Sequence, residues 1–514
     1  MSAPRIRPRR QRSFVIVGAG FGGLGAAISL RRLGYDDITI IDRADGVGGT
    51  WHWNTYPGLA VDIASTTYSY SFEPNPWWQR VYAKGPELKR YAEHVTEKYD
   101  LRRHLRLKTD VESATFDDTS GTWTVRTGDG DDITADVMIL ATGFLSQPKY
   151  PDIPGLDAFG GKTIHTARWD HDHDLRGRRA AVIGTGATAV QLLPEIAPLL
   201  DHLDVYQRTP IWCAPKLDTE IPEPVQRLFA RIPMAQRGVR AFTSTALEVM
   251  MVAGPLHRRE LPWLTKSAEL MCKAHLRRQV PDPDLRRKLT PAYDFGCKRP
   301  TFSNDYYPTF MRENVELVTD PIECITQTGI RTRDGRERPI DTLILATGYK
   351  VWEPGNFPAF EVRGRGGRSL REYWETEHFQ SYQGITVHGF PNMFYMASPF
   401  AFTGLSVFFA IEGQMAHIER CLRLMDRRQA AVFEPTATAQ ERFMDQMQRN
   451  YRSTVFAAGQ CGGSNSYYFN QHGESTLLRP QPTPIALRQT ARFPSRDYQW
   501  LDAHGRPIRR QRAA

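Results

Sequence analysis

The chain has 514 residues, 41% of them hydrophobic, and carries 66 Lys and Arg against 57 Asp and Glu for a formal net charge of +9. That length holds two or three domains around a sizeable core, and that apolar share excludes general disorder. Part of the positive excess sits in RIRPRRQR near the start and RPIRRQR near the end. These read as solvated tails, since no RNA- or DNA-binding motif accompanies them.

The first predicted unit is FVIVGAGFGGLGAAISL at 14–30, an apolar strand that enters a glycine-rich turn and leaves as a helix. Gly18, Gly20 and Gly23 form GxGxxG. The first permits the tight turn, the second lets a pyrophosphate approach the backbone, and the third lets helix pack on strand. The helix N-terminus then offers free N–H groups to phosphate. A second strand, ITIID, ends at Asp42, about 20 residues on, where a carboxylate accepts ribose hydroxyls. This cradle suits the AMP half of FAD.

Residues 105–140 alternate in short runs and predict a small antiparallel meander that returns to the parallel sheet through VMILATG. The linker SQPKYPDIPG leads to a second unit, AAVIGTGATAVQ at 180–191. Gly184, Gly186 and Ala189 repeat the pattern as GxGxxA, with Thr185, Thr188 and Gln191 on the same turn and helix start. The matching strand end reads VYQRTP, so Gln207, Arg208 and Thr209 stand where the first unit has its acid. An acid there repels a 2′-phosphate, whereas an arginine pairs with it in fork geometry. The second cradle therefore favours NADPH over NADH.

Between 219 and 290 charged and apolar residues alternate at helical spacing, punctuated by prolines, which predicts a helical insertion. Strand-like segments resume at 315–346. The turns VMILATGF and TLILATGY each end a strand with small residues, as a chain passing close to a bound cofactor requires. The apolar stretch 393–413 is broken by Pro399 and Gly404 and predicts strand, turn and helix; no membrane insertion is expected. Six scattered cysteines without a CxxC pair argue against a disulfide framework, a zinc site and a redox-active dithiol, and fit a reducing, cytoplasmic setting; no metal is expected.

The predicted fold class is α/β: two Rossmann-like dinucleotide-binding domains, for FAD and NADP, with a helical insertion in the NADP domain. The FAD domain would take 1–150 and 341–514. The NADP domain would take 151–218 and 291–340, interrupted by 219–290.

Four segments carry a family resemblance. FGGKTIHTARWD at 159–170, just before the second cradle, is similar to the Fx-Gx₃-Hx₃-W-(P/D) fingerprint of type I Baeyer–Villiger monooxygenases. GTWHWNTYPGLAVD at 49–62 resembles their second signature, GxWx₄(F/Y)PGx₃D. CKRPTFSNDYYPTFMRENV and GITVHGFPNMFYM resemble later family segments. The resemblance implies FAD, NADPH and dioxygen as the redox partners, and a ketone converted to an ester or lactone through a C4a-peroxyflavin.

Carried over residue by residue, Arg299 resembles the arginine that stabilises the peroxyflavin anion, and Asp62 its carboxylate partner. Lys298 resembles a contact to the NADP phosphate, and Arg208 and Thr209 the main 2′-phosphate clamp. Thr50, Trp51, Asp62 and Tyr68 would lie against FAD, and Val111 would contact its adenine side through backbone. His165 and Trp169 read as structural or hinge residues of the connector. Met311-Arg312 and Tyr467 depart from the family pattern without touching the flavin chemistry. The alternatives are a flavin monooxygenase acting on sulfide or amine nitrogen, and a flavoprotein redox sensor or NADPH oxidase.

Overall fold

Phe14–Val17 and Val137–Leu140 are apolar throughout and buried along their whole length. Strands buried on both faces belong inside a parallel sheet covered by helices. A computed structural model, describing residues 12–353 and 355–508, places them there. Its first sheet runs Met393–Tyr395, Val137–Leu140, Phe14–Val17, Ile38–Ile41, Leu105–Arg106, with every neighbouring pair parallel. Helix Phe21–Leu33 follows the first glycine turn and packs on helix Val407–Arg428. A Cβ on Gly25 would lie 2.9 Å from Ile411, so the small residues of GLGAA set how closely these helices approach.

The second sheet repeats the plan. Its order is Val315–Val318, His202–Tyr206, Arg179–Ile183, Thr342–Leu345, Lys162–His165, again all parallel. In each sheet the strand feeding the glycine turn is central. Its βαβ partner lies on one side and the strand ending in ATG on the other.

The predicted meander is present as Val111–Asp117, Thr122–Thr127 and Asp132–Ala135, paired antiparallel. Leu105–Arg106, expected within it, instead forms the edge of the first parallel sheet beside Ile40 and Ile41. Two residues are too few for an alternation to reveal their pairing. The insertion is helical over Glu223–Arg231, Pro233–Leu247, Pro262–Gln279 and Pro283–Leu289. Its prolines open these helices, where a missing N–H costs nothing.

Of the two basic tails, residues 5–11 and 509–512 lie outside the described residues. The apolar stretch 393–413 divides into strand Met393–Tyr395 and a helix starting at Val407. Among the described residues no helix is long and apolar enough to cross a membrane.

Candidate active site

The two cradles are built alike and face one cavity of about 1330 Å³. Single-ligand pockets usually enclose about 300–1,000 Å³, so this one has room for more than one sizeable ligand. Gly18 (φ +112°) and Gly184 (φ +113°) both hold backbone angles that side chains disfavour. A Cβ on Gly18 would lie 2.4 Å from the Ala141 carbonyl oxygen, and one on Gly184 2.5 Å from that of Ala346. Each ATG turn thus passes directly against the first glycine of its cradle, which explains why small residues recur at both places. Gly23 and Ala189 lie outside the cavity lining, as helix-to-strand packing positions should: a Cβ on Gly23 would meet the Gly18 carbonyl, and Ala189 is fully buried. Around Gly186 the space a Cβ would take is open, so its backbone faces the cleft bare.

On the first cradle, Asp42 ends its strand with both oxygens oriented by backbone. Oδ2 accepts from the Ala19 N–H at 2.7 Å and Oδ1 from the Ala44 N–H at 2.9 Å. Gly20 and Gly49 bring two backbones together, with Gly20 Cα 3.0 Å from a Cβ built on Gly49. That contact seats the short helix Thr50–Trp53 at the cleft. Trp51 donates from Nε1 to the Tyr68 hydroxyl at 3.2 Å, and their rings meet edge-on. Thr50, Trp51, Tyr68 and Val111 all line the cavity. A bare glycine turn, an oriented carboxylate and an aromatic wall suit FAD.

On the second cradle, Arg208 is exposed and has no ion-pair partner among the described residues. Lys298 also lines the cavity. Burial, and then the charge of Arg208 beside it, push the Lys298 ammonium down to about 8. Two cations with no ion-pair partner among the described residues suit the 2′-phosphate of NADP. Thr209 and Thr185 line the same wall, but their hydroxyls have protein partners. Thr185 donates to the Thr209 carbonyl at 2.9 Å, and Thr209 Oγ1 accepts from Asn465 Nδ2 at 2.6 Å. Thr188 lines the cleft as well. Gln191 does so too, with its amide engaged across the cleft wall. It donates to the Ala60 carbonyl at 2.9 Å and accepts from the Tyr56 hydroxyl at 2.9 Å, fastening the second cradle to the segment below the first.

Arg299 and Asp62, 237 residues apart, form a two-pronged pair: Nε to Oδ2 at 2.8 Å and Nη2 to Oδ1 at 3.1 Å. Both are about a quarter exposed, toward the cavity. Burial alone would raise the Asp62 carboxyl, but the guanidinium outweighs it and holds the group below the usual carboxylate range. For Arg299 burial opposes charge, yet the carboxylate keeps the guanidinium firmly ionised. The result is a fixed cation, with Nη1 free of the carboxylate. Tyr467 and Tyr468 stand beside it with ring centroids 5.0 Å apart, both on the cavity wall.

Several features escaped the sequence. Arg168 of the first signature lies 4.0 Å over the Trp53 ring of the second, and His171 bonds Thr55 Oγ1 at 2.9 Å, so the two signatures meet. His165, away from the cavity lining, caps the turn after it by accepting from the Ala167 N–H at 3.1 Å. The expectation of unpaired cysteines needs correction: Cys297 and Cys461 form a disulfide. They are 164 residues apart, and spacing rules register only near neighbours. The bridge joins the residue before Lys298-Arg299 to the segment carrying Asn465, Tyr467 and Tyr468. Cys213, Cys272, Cys324 and Cys421 are free.

Comparison with known proteins agrees with this geometry. Residues 15–231 match the family model described as pyridine nucleotide-disulphide oxidoreductase. A Baeyer–Villiger monooxygenase of Pseudomonas aeruginosa is 41% identical over 93% of this chain and 89% of its own length. The closed crystal structure of cyclohexanone monooxygenase superposes with a TM-score of 0.85 at 28% identity, covering 96% of this chain and 99% of that one. OTEMO in complex with FAD and NADP superposes with a TM-score of 0.84 at 27% identity, with the same coverage.

Proposed function

This chain belongs to the Baeyer–Villiger monooxygenase family, and from that premise we propose that Arg299 and Asp62 are its catalytic pair and that a ketone is its substrate. The enzyme is a monooxygenase that uses FAD and NADPH, inserting one atom of dioxygen next to a carbonyl to give an ester or lactone. FAD, when bound, supplies the ring that takes hydride from NADPH and reacts with dioxygen. The first cradle, with Asp42 on the ribose side and Thr50, Trp51 and Tyr68 on the wall, holds that cofactor. The second, with Arg208 and Lys298 at the 2′-phosphate, presents the reductant. The expected boundary at 341 moves, because strand Thr342–Leu345 lies in the second sheet: the NADP domain takes 151–218 and 291–345, and the FAD domain takes the described residues before 151 and after 345.

One observation carries the catalytic reading. A guanidinium locked by two hydrogen bonds to a carboxylate lies where both cradles open into one cavity. Oxygen insertion passes through states in which negative charge gathers on oxygen, and a preorganised cation in a shielded site stabilises that charge. Asp62 orients the guanidinium and, held below the usual carboxylate range, does not donate a proton. The test is mass analysis of products formed under labelled dioxygen from ketones, sulfides and amines. An ester or lactone gaining one labelled oxygen supports the reading. Sulfoxide or N-oxide as the main product, with ketones untouched, overturns it in favour of heteroatom oxygenation.

Two expected results follow here. Lys298 stands at about 8, and a phosphate dianion beside it favours its charged form. Binding of NADPH therefore takes up a proton above that pH. Its KM should be flat below pH 8 and rise above it, by at most about tenfold per pH unit. The profile of Lys298→Met should be level across that range, and a level wild-type profile would remove Lys298 from the phosphate site.

Tyr467 is the second case. It shares the cavity wall with Arg299 but holds no cradle position. Tyr467→Ala or Tyr467→Trp should change which ketones are accepted, or which neighbouring carbon migrates. Flavin reduction by NADPH, followed by stopped-flow absorbance, should stay within about twofold of wild type, because this residue makes no charged bond worth ~1.5–3 kcal/mol. Collapse of that rate would assign Tyr467 to the cofactor wall instead.

A further inference from the structure

The helical insertion has a surface unlike the rest of the molecule. Ten of the sixteen exposed large apolar side chains among the described residues fall between 219 and 290. They include Phe242 at 76% and Trp263 at 60% exposure. In the same interval thirteen Lys and Arg stand against seven Asp and Glu. The rest of the described chain has 46 against 50, so the positive charge of the folded body is concentrated where the apolar side chains project.

The helices organise both kinds of residue. Met234, Phe242 and Val249 recur at eight and seven residues along Pro233–Leu247 and the π-helical turn Glu248–Ala253, so they share one face. Trp263, Leu270 and Arg277 recur every seven along Pro262–Gln279. The π-helical turn packs against both helices. Arg231, Arg237, Arg277 and Arg278 are exposed, and none has an ion-pair partner among the described residues. On its inner side the same turn reaches the interior: its Met251 and Val252, with Leu256 just after it, line a small cavity with Phe456 and Tyr468, and Tyr468 also lines the main cleft.

We propose that the face of the helical insertion carrying Met234, Phe242, Trp263 and Leu270 docks on an anionic lipid bilayer surface. Single apolar side chains projecting from helices that also carry exposed arginines without ion-pair partners among the described residues match the chemistry of the headgroup–acyl boundary. The apolar tips enter the acyl boundary while the cations meet lipid phosphates and carboxylates. A second copy of this chain is the poorer occupant, because it would press two strongly positive faces together. Spanning is not involved, since no described helix is long and apolar enough. Docking would set the apolar inner side of the insertion between a bilayer and the cleft, a route suited to a ketone that partitions into lipid. The docking itself is independent of the oxygen chemistry.

Flotation of the FAD-loaded enzyme with phosphatidylcholine vesicles, with and without phosphatidylserine, tests this. Binding should require phosphatidylserine and weaken with added salt. Phe242→Ser combined with Trp263→Ser should release the enzyme from vesicles. Arg231→Glu combined with Arg237→Glu should lower the partition coefficient about 25-fold or more, at roughly fivefold per cation lost near the surface. Both variants should keep the yellow FAD spectrum and wild-type NADPH oxidation in solution. Four results would each overturn the proposal: no binding to phosphatidylserine vesicles; equal binding to phosphatidylcholine alone; unchanged binding in both variants, which would point to the basic tails; or a wild-type dimer that the Phe242–Trp263 variant dissociates in sedimentation, which would point to self-association.

Discussion

Arg299→Ala should leave an enzyme that binds both cofactors and consumes NADPH, yet makes almost no ester or lactone. In the structure this guanidinium is held by two bonds to Asp62 and opens onto the shared cavity. Removing one preorganised donor of this kind typically costs about 3–4 kcal/mol in the step it serves, or on the order of 10²–10³ in rate. The loss falls on oxygen transfer, because hydride delivery needs only the two cofactors in register. The two electrons of each NADPH should then reduce dioxygen to hydrogen peroxide. Arg299→Lys should recover little. An ammonium is a point charge and cannot make two parallel bonds to the carboxylate while also facing the cavity. The deciding quantity is ester formed per NADPH consumed, measured beside peroxide released. A variant that keeps wild-type coupling would remove Arg299 from the reaction and turn attention to the other basic residues lining the cavity, Lys298 first among them.

What the sequence made legible was local, or was repeated. The two glycine turns could be read because a βαβ cradle is contiguous and its requirements fall at fixed offsets, as Gly18 and Gly184 show with nearly equal φ values. The ATG turns were legible because they occur twice, and each lies against its glycine. The insertion could be read as helical, but periodicity reports which face of a helix is apolar and not whether anything covers it. The exposure of Phe242 and Trp263 was therefore invisible. Contacts that cross the chain were hidden for the same reason. Thr209 and Asn465 are 256 residues apart, Cys297 and Cys461 are 164, and no short-range rule connects them. Gln191 shows a further limit. Its position on the second cradle was legible, whereas the engagement of its amide by Ala60 and Tyr56 depends on how the two halves meet.

Arg208→Ala should raise the KM for NADPH by about 10–150-fold and leave that for NADH nearly unchanged. The range follows from a charged hydrogen bond worth about 1.5–3 kcal/mol. Because Arg208 is exposed, solvent screening places the result toward the lower end. A structural role for this arginine in a surface ion pair would predict a loss of stability instead, but it has no such partner among the described residues. Its neighbour is Lys298, a second cation whose ammonium it depresses, and only an anion between them relieves that repulsion. The 2′-phosphate is the one group that NADPH has and NADH lacks, so a cation that reads it must discriminate between them. Arg208→Ala should also raise the Lys298 pKa, shifting the onset of the NADPH pH profile upward from about 8. Equal losses for the two nicotinamide cofactors, with the pH profile unmoved, would place the phosphate elsewhere and leave Arg208 a bystander at the cleft mouth.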